Sequence, residues 1–151
     1  MRCVIQRVKS ASCSINDEVI SQIDKGLLVL VGFQNSDTTK EIDKMCDKLV
    51  NLRIMSDNFG ALNFSILDLK QDIMVIPNFT LYADASHGRR PSFVNVGDKV
   101  ESKHKYEYML KHLKETTPLR IGYGGYGADM SIFLINDGPV TLVIDEDAKN
   151  D

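Results

Sequence analysis

The stretch Gly26-Leu27-Leu28-Val29-Leu30-Val31-Gly32-Phe33 decides the fold class. It is a continuous apolar run headed by glycine, with no polar residue at alternate positions. That is the pattern of a strand buried on both faces. Directly downstream the period changes. Thr38-Thr39-Lys40-Glu41 has the form of a capping box, and Ile42, Met45, Cys46 and Leu49 follow at i, i+3, i+4, i+7. This predicts an amphipathic helix over roughly residues 38–53. Residues 73–76 (IMVI) form another buried strand, stopped by Pro77. A second helix starts near Asp98, with Tyr106, Met109, Leu110 and Leu113 as its core stripe. It ends before Thr117-Pro118, because the residue before proline avoids the helical region.

Working outward, both ends of the chain read as β. Residues 3–8 and 11–15 are strand-like, and Asn16-Asp17 is the turn of an opening hairpin. Asp57-Asn58-Phe59-Gly60 is a further turn. The last third gives strands at 119–123, 129–135 and 140–144, with Asn136–Thr141 as a hairpin connection. No repeat, low-complexity stretch or linker interrupts the pattern. The expectation is one α+β domain over residues 1–145, with seven or eight strands and two main helices packed on the sheet. The residues from 146 to 151 are expected to be an acidic, flexible tail.

Composition excludes several classes. At 151 residues, 43% apolar and 26% charged, the chain has enough material for a core and too much for a disordered protein. No apolar run approaches the ~20 residues of a membrane span, and the N-terminus lacks a signal-peptide pattern. Cys3, Cys13 and Cys46 are an odd count without CxxC spacing, so they read as free thiols of a cytoplasmic protein. His87, His104 and His112 form no HxH or HExxH pattern. No metal site or cofactor is expected. The net charge of −3 excludes a globally basic nucleic-acid coat. The last seven residues, DEDAKND, hold four acids and one base and carry that whole deficit, whereas Ser86 to Ile121 holds eight bases and four acids. The middle of the chain is therefore mildly basic.

Four junctions have residues suited to chemistry. Pro77-Asn78-Phe79-Thr80-Leu81 follows a buried strand, and the amides of Phe79 and Thr80 are placed to stabilise an oxyanion. On composition alone the simpler reading is a cap in which Asn78 and Thr80 bond local backbone. Asn136-Asp137-Gly138-Pro139-Val140-Thr141 is odd for its Gly-Pro pair leading directly into a strand, where rigid carbonyls are a means of steric rejection. Arg89-Arg90-Pro91-Ser92-Phe93 combines cations, a rigid turn and an aromatic, and reads as a phosphate or base contact or as a solvated loop. In Gly122–Met130, glycines permit close backbone approach and tyrosines offer stacking faces; a bulge or flexible loop fits equally. No GxSxG, Walker loop, Cys/His pair or opening GxGxxG is present, and no general base for Thr80 is evident.

Taken together and in order, these segments resemble the D-aminoacyl-tRNA deacylases, also called D-tyrosyl-tRNA deacylases. The resemblance spans about residues 1–145. It rests on Val4-Ile5-Gln6-Arg7-Val8, Gly26–Gly32, Asn51-Leu52-Arg53-Ile54, Phe79-Thr80-Leu81, Arg90-Pro91-Ser92-Phe93, Gly127-Ala128-Asp129-Met130 and Asn136–Thr141. It implies a mostly antiparallel, barrel-like sheet. It also implies a homodimer that hydrolyses the ester between a D-amino acid, or mischarged glycine, and the 3′ end of tRNA, with no cofactor and no membrane partner. On the resemblance, Asn78, Phe79 and Thr80 line the ester, with main-chain amides holding the oxyanion and the ribose 2′-OH replacing a protein base; Thr80 as the nucleophile stays open as the alternative. Gly138-Pro139, in cis form and acting on the partner's site, is the chiral selector, braced by Arg7. Tyr126, where the family usually has Phe, forms the adenosine pocket with Met130 and Phe93. Pro77-Asn78 departs from the family's Ser-Gln. A related branch, the animal-type tRNA deacylase, carries Pro-Gln there, acts on L-alanine attached to a threonine tRNA, and has a trans Gly-Pro. That leaves an L-alanine deacylase, or a non-catalytic binder of RNA ends, as alternatives.

Overall fold

In a computed structural model, which describes residues 1–148, the chain opens on β1 (Arg2–Ile15), one long strand where two short segments were expected. The two segments correspond to a change of partner. The Asn16-Asp17 turn, both residues at positive φ, sends the chain back antiparallel as β2 (Glu18–Ile23) and then β3 (Gly26–Gly32). The register runs on from Ala11↔Ile23 to Val8↔Gly26, so β2 and β3 are halves of one return strand interrupted at Asp24-Lys25.

The helix α1 (Thr39–Asn51) follows. Its capping box forms as expected: the Thr38 N–H donates to Glu41 Oε2 at 2.7 Å and the Lys40 N–H donates to Thr38 Oγ1 at 3.3 Å. The Asp57 turn joins a minimal hairpin, β4 (Met55–Ser56) and β5 (Leu62–Phe64). One short helix that the sequence pattern did not reveal, α2 (Ile66–Leu69), is capped reciprocally by Ser65 and Asp68. Strand β6 (Asp72–Pro77) runs into a single 3₁₀ turn, Phe79–Tyr82. After a long loop come α3 (Lys99–Thr116), capped by Asp98, then β7 (Ile121–Tyr123) and β8 (Ser131–Asp145).

The sheet is mixed and mostly antiparallel, in the order β2-β1-β3-β6-β7, with β3–β6 and β6–β7 parallel and β8 on the other edge of β1. It curls nearly into a barrel. The Tyr123 N–H donates to Ser21 Oγ at 3.0 Å, and Gly122 lies so close to β2 that a Cβ there would stand 2.9 Å from Ile23 Cγ2. Strand β3 is buried on both faces, as its sequence requires. Leu27, Val29 and Val31 pack with Ile5, Ile73 and Val75 under α1 and α3, while Leu28 joins Val8, Ala11, Cys13, Ile23, Met74 and Ile76 inside the curl. Each of the Leu, Ile, Val and Met side chains among them contributes about 1.5–3 kcal/mol of burial.

The expected hairpin at 136–141 does not form. Strand β8 continues along β1 from Ser14↔Ser131 to Arg2↔Asp145, but the register shifts beside Val8. Asn136 faces Val8 and Thr141 faces Gln6, so Asp137–Val140 is looped out of the ladder. The turn residues therefore make a bulge and not a reversal, because β1 is long enough to pair on both sides of them. Glu146, which composition placed in the tail, is held: its N–H donates to Met1 O at 2.9 Å and its carboxylate lies 3.1 Å from Lys48 Nζ. The end of that tail, residues 149–151, lies outside the described residues.

Candidate active site

The carboxyl end of β6 carries the first group. Pro77 is buried and closes the strand in register with Val31. The Asn78 N–H donates to Val31 O at 2.7 Å, which ties the junction to β3. The 3₁₀ turn then begins, and no side chain caps it. The N–H groups of Phe79 and Thr80 find no acceptor among the described residues. Two adjacent free amides at the start of a turn form a donor pair for a developing negative charge. The Thr80 hydroxyl donates to Asn78 Oδ1 at 2.6 Å. An amide oxygen is not a base at neutral pH, so this contact orients the hydroxyl without activating it. The contact runs between the two side chains and not, as the cap reading expected, to local backbone, and Asn78 lines the cleft.

That cleft has a volume of about 560 Å³ and opens on the sheet face away from the helices. Pro77, Asn78 and Phe79 form one wall, Ala128, Asp129 and Met130 another, and Leu28 and Leu30 part of its floor. Asp129 is the one ionisable side chain on this lining. A smaller cavity of about 290 Å³ shares Pro77, Phe79 and Gly127 and adds Tyr126 and Lys99. Phe93 lies over the rim with its ring 5.9 Å from that of Phe79, and its loop is pinned by reciprocal 2.8 Å backbone bonds between Asp84 and Ser92. Pro77, Asn78, Phe79, Thr80, Phe93, Tyr126 and Met130 thus fall in one neighbourhood.

Gly138 and Pro139 do not. They are exposed in the β8 bulge, their peptide bond is cis, and neither lines the cleft of its own chain. The bulge is held firmly. Arg7, only 8% exposed, donates from Nε to Asp137 O at 2.9 Å and from Nη1 to Ile54 O at 2.9 Å and Ser56 Oγ at 3.1 Å. Asn136 donates from Nδ2 to Arg7 O at 3.0 Å and to Val140 O at 3.2 Å, spanning the base of the bulge.

Two supports escaped the sequence reading. Asn136 looked like a turn residue, and Tyr106 like an ordinary member of the α3 core stripe. The Tyr106 hydroxyl donates to Val75 O at 2.8 Å and accepts the Gly124 N–H at 2.9 Å, so it fixes the 124–130 wall against β6. Burial pushes its phenol up to about 12, which keeps it a donor throughout the physiological range. The only warning in the sequence was the hydroxyl itself, since a buried Tyr needs a partner. Cys3, Cys13 and Cys46 are buried free thiols, and burial raises the pKa of all three, Cys46 to about 12, so they offer no thiolate. Among the described residues no cluster of three or more His, Cys, Asp or Glu is placed to hold a metal ion, and no helix is long and apolar enough to cross a membrane.

Comparison with known proteins gives a consistent picture. The family model described as D-Tyr-tRNA(Tyr) deacylase matches residues 4–145. A protein of Thermosipho melanesiensis named D-aminoacyl-tRNA deacylase is 43% identical over 145 residues, covering 96% of this chain and 97% of its own. A solved structure described as a c-Myc DNA unwinding element binding protein superposes with a TM-score of 0.92 at 34% identity, covering 98% of this chain and 100% of its own. A probable eukaryotic D-amino acid tRNA deacylase, 15% identical with a TM-score of 0.81 over 95% of this chain and 97% of its own, shares the fold.

Proposed function

The chain belongs to the D-Tyr-tRNA(Tyr) deacylase family, and on that premise we propose how it works as a D-aminoacyl-tRNA deacylase. The enzyme hydrolyses the ester between a D-amino acid and the 3′ end of tRNA, releasing both. In our reading the ester carbonyl oxygen enters the donor pair of Phe79 and Thr80, and the terminal adenosine lies in the smaller cavity against Tyr126 and Phe79, with Met130 and Phe93 at its edges. Water adds to the carbonyl carbon, the two amides hold the oxyanion, and the ribose oxygen leaves with a proton. Each such donor is worth about 3 kcal/mol of transition-state stabilisation. The neighbouring 2′-OH relays the proton, because among the described residues the Thr80 hydroxyl bonds only the amide oxygen of Asn78. An aminoacyl ester is already labile, so positioning and oxyanion binding suffice.

Chirality, in this reading, is set across a homodimer. Gly138 and Pro139 of the partner subunit enter the cleft, where their carbonyls exclude an L side chain while a D side chain or glycine is accepted. Two features support it: the bulge is braced by Arg7 and Asn136, yet it stands away from its own cleft. We place the enzyme in the cytoplasm, where aminoacyl-tRNA is made and used. The observation that carries the catalytic reading is the pair of unpartnered amides beside a hydroxyl already committed to Asn78. Deacylation assays with D-Tyr-, L-Tyr-, Gly- and L-Ala-tRNA test the whole. We expect turnover of D-Tyr- and Gly-tRNA with L-Tyr-tRNA spared. Preference for L-Ala-tRNA would move the chain to the animal-type branch, and tight binding of the aminoacylated end without cleavage would make it a binder of RNA ends.

A further inference from the structure

We propose that Lys99 is a substrate-binding residue that holds the phosphate on the 5′ side of the substrate's terminal nucleoside. The proposal rests on the deacylase reading and adds a contact to it. Lys99 is the first residue of α3, next to Asp98, whose carboxylate is committed to the Val100 and Glu101 N–H groups at 3.0 Å each. A cation in the first turn faces the positive end of the helix, where it is disfavoured, so helix formation does not account for it. Lys99 has no hydrogen bond or ion pair with the described chain. Its position is nevertheless defined. Gly127 has φ 75°, and a Cβ there would stand 3.4 Å from Lys99 Cε and 3.7 Å from Nζ, so the lysine stem lies against this loop. The ammonium therefore sits beside Gly127 at the smaller cavity, which Pro77, Phe79 and Tyr126 also line.

A cavity lined by aromatic rings, a proline and one unpaired ammonium is the complement of a nucleoside phosphate: the base stacks, and the cation takes the charge. The cavity shares Phe79 with the main cleft, so a nucleoside in it keeps its 3′ ester at the donor pair. The phosphate that joins it to the preceding nucleotide then lies on the other side of the ribose, toward the rim. A flexible stem with a point charge suits such a contact, which positions the RNA end and reads no base.

The test uses two substrates, D-Tyr-tRNA and 3′-O-D-tyrosyl-adenosine, which has no phosphate. KM and kcat are measured for the wild type, Lys99→Ala, Lys99→Glu and Lys99→Arg, with Lys103→Ala, one turn further along the exposed face, as a control. We expect Lys99→Ala to raise KM for the tRNA about three- to fivefold and Lys99→Glu to raise it further, with Lys99→Arg near wild type. The preference for tRNA over the adenosine ester should fall by the same factor. The slope of log affinity against log salt should lessen by about 0.7, the loss of one single-strand phosphate contact. An unchanged KM in Lys99→Glu, or an equal loss on both substrates, overturns the proposal. Binding of the trinucleotide CCA keeps the two readings separate. If the wild type cleaved no D-aminoacyl ester while Lys99→Glu still weakened CCA binding, the deacylase reading would fall and the phosphate contact would stand. Equal CCA binding by the two proteins would remove the contact whatever the activity.

Discussion

In the proposed mechanism the Thr80 hydroxyl stands beside the ester without acting as its nucleophile. Its proton points at Asn78 Oδ1, 2.6 Å away, and nothing there can accept it permanently. In the proposed mechanism Thr80 offers the ester its N–H, which a substitution keeps. We expect Thr80→Val, which preserves shape and amide, to hold kcat within about tenfold of the wild type, whereas loss of a true nucleophile costs on the order of a million-fold. Single-turnover deacylation of D-Tyr-tRNA reads the difference. Gly138 makes the opposite demand, since there the absence of a side chain is the requirement. A Cβ would stand 2.6 Å from Asn136 Oδ1, and Asn136 cannot give way without losing its bonds to Arg7 O and Val140 O. Gly138→Ala is expected to lower kcat/KM about tenfold or more for D-Tyr- and Gly-tRNA alike, through a shifted bulge. Activity equal to wild type on both would remove the bulge from the site.

At the scale of elements, the site is a joint between β6 and the 124–130 wall, and Tyr106 of α3 is its strut. Tyr106→Phe leaves the part-buried Gly124 N–H without its acceptor and should cost about 1 kcal/mol of stability. Urea unfolding measures that cost. A rise in KM in the folded variant would show that the wall has moved as well. The same elements explain what could be read in advance. Strand β3 and helix α1 were legible because their signals are local: an unbroken apolar run, and a capping box followed by a 3.6-residue period. The Pro77–Thr80 junction and the Arg90–Phe93 loop were legible through motif order. The path of β8 was not, since N-D-G-P carries the same local signal whether the chain reverses or bulges. Only the length of β1, paired from Arg2 to Ser14, decides between them. Tyr106 was hidden for a similar reason, because its apolar ring satisfies the stripe while its hydroxyl serves an element outside it.

For the whole molecule, the unexplained feature is β8 itself. Among the described residues its outer edge is unpaired, and Phe133 at 69% and Val143 at 63% exposure stand on it. A long apolar edge is an aggregation hazard unless something covers it. A second copy would cover it and, in the proposed arrangement, would carry its Gly138-Pro139 bulge to its partner's cleft. Two crippled chains test this directly. Thr80→Arg blocks the cleft from an exposed position and leaves the bulge intact, and Gly138→Val spoils the bulge and leaves the cleft open. Each homodimer should be inactive. If the bulge serves the partner's cleft, a heterodimer isolated through two different tags has one intact pair and should recover about half of the wild-type rate per dimer, since a twofold assembly holds two equivalent sites. If the bulge serves its own cleft, every site in the heterodimer carries a defect and no activity returns. The same preparation, weighed by light scattering, shows whether the chain pairs at all. A monomer that cleaves D-Tyr-tRNA at the wild-type rate would separate the enzyme from the dimer.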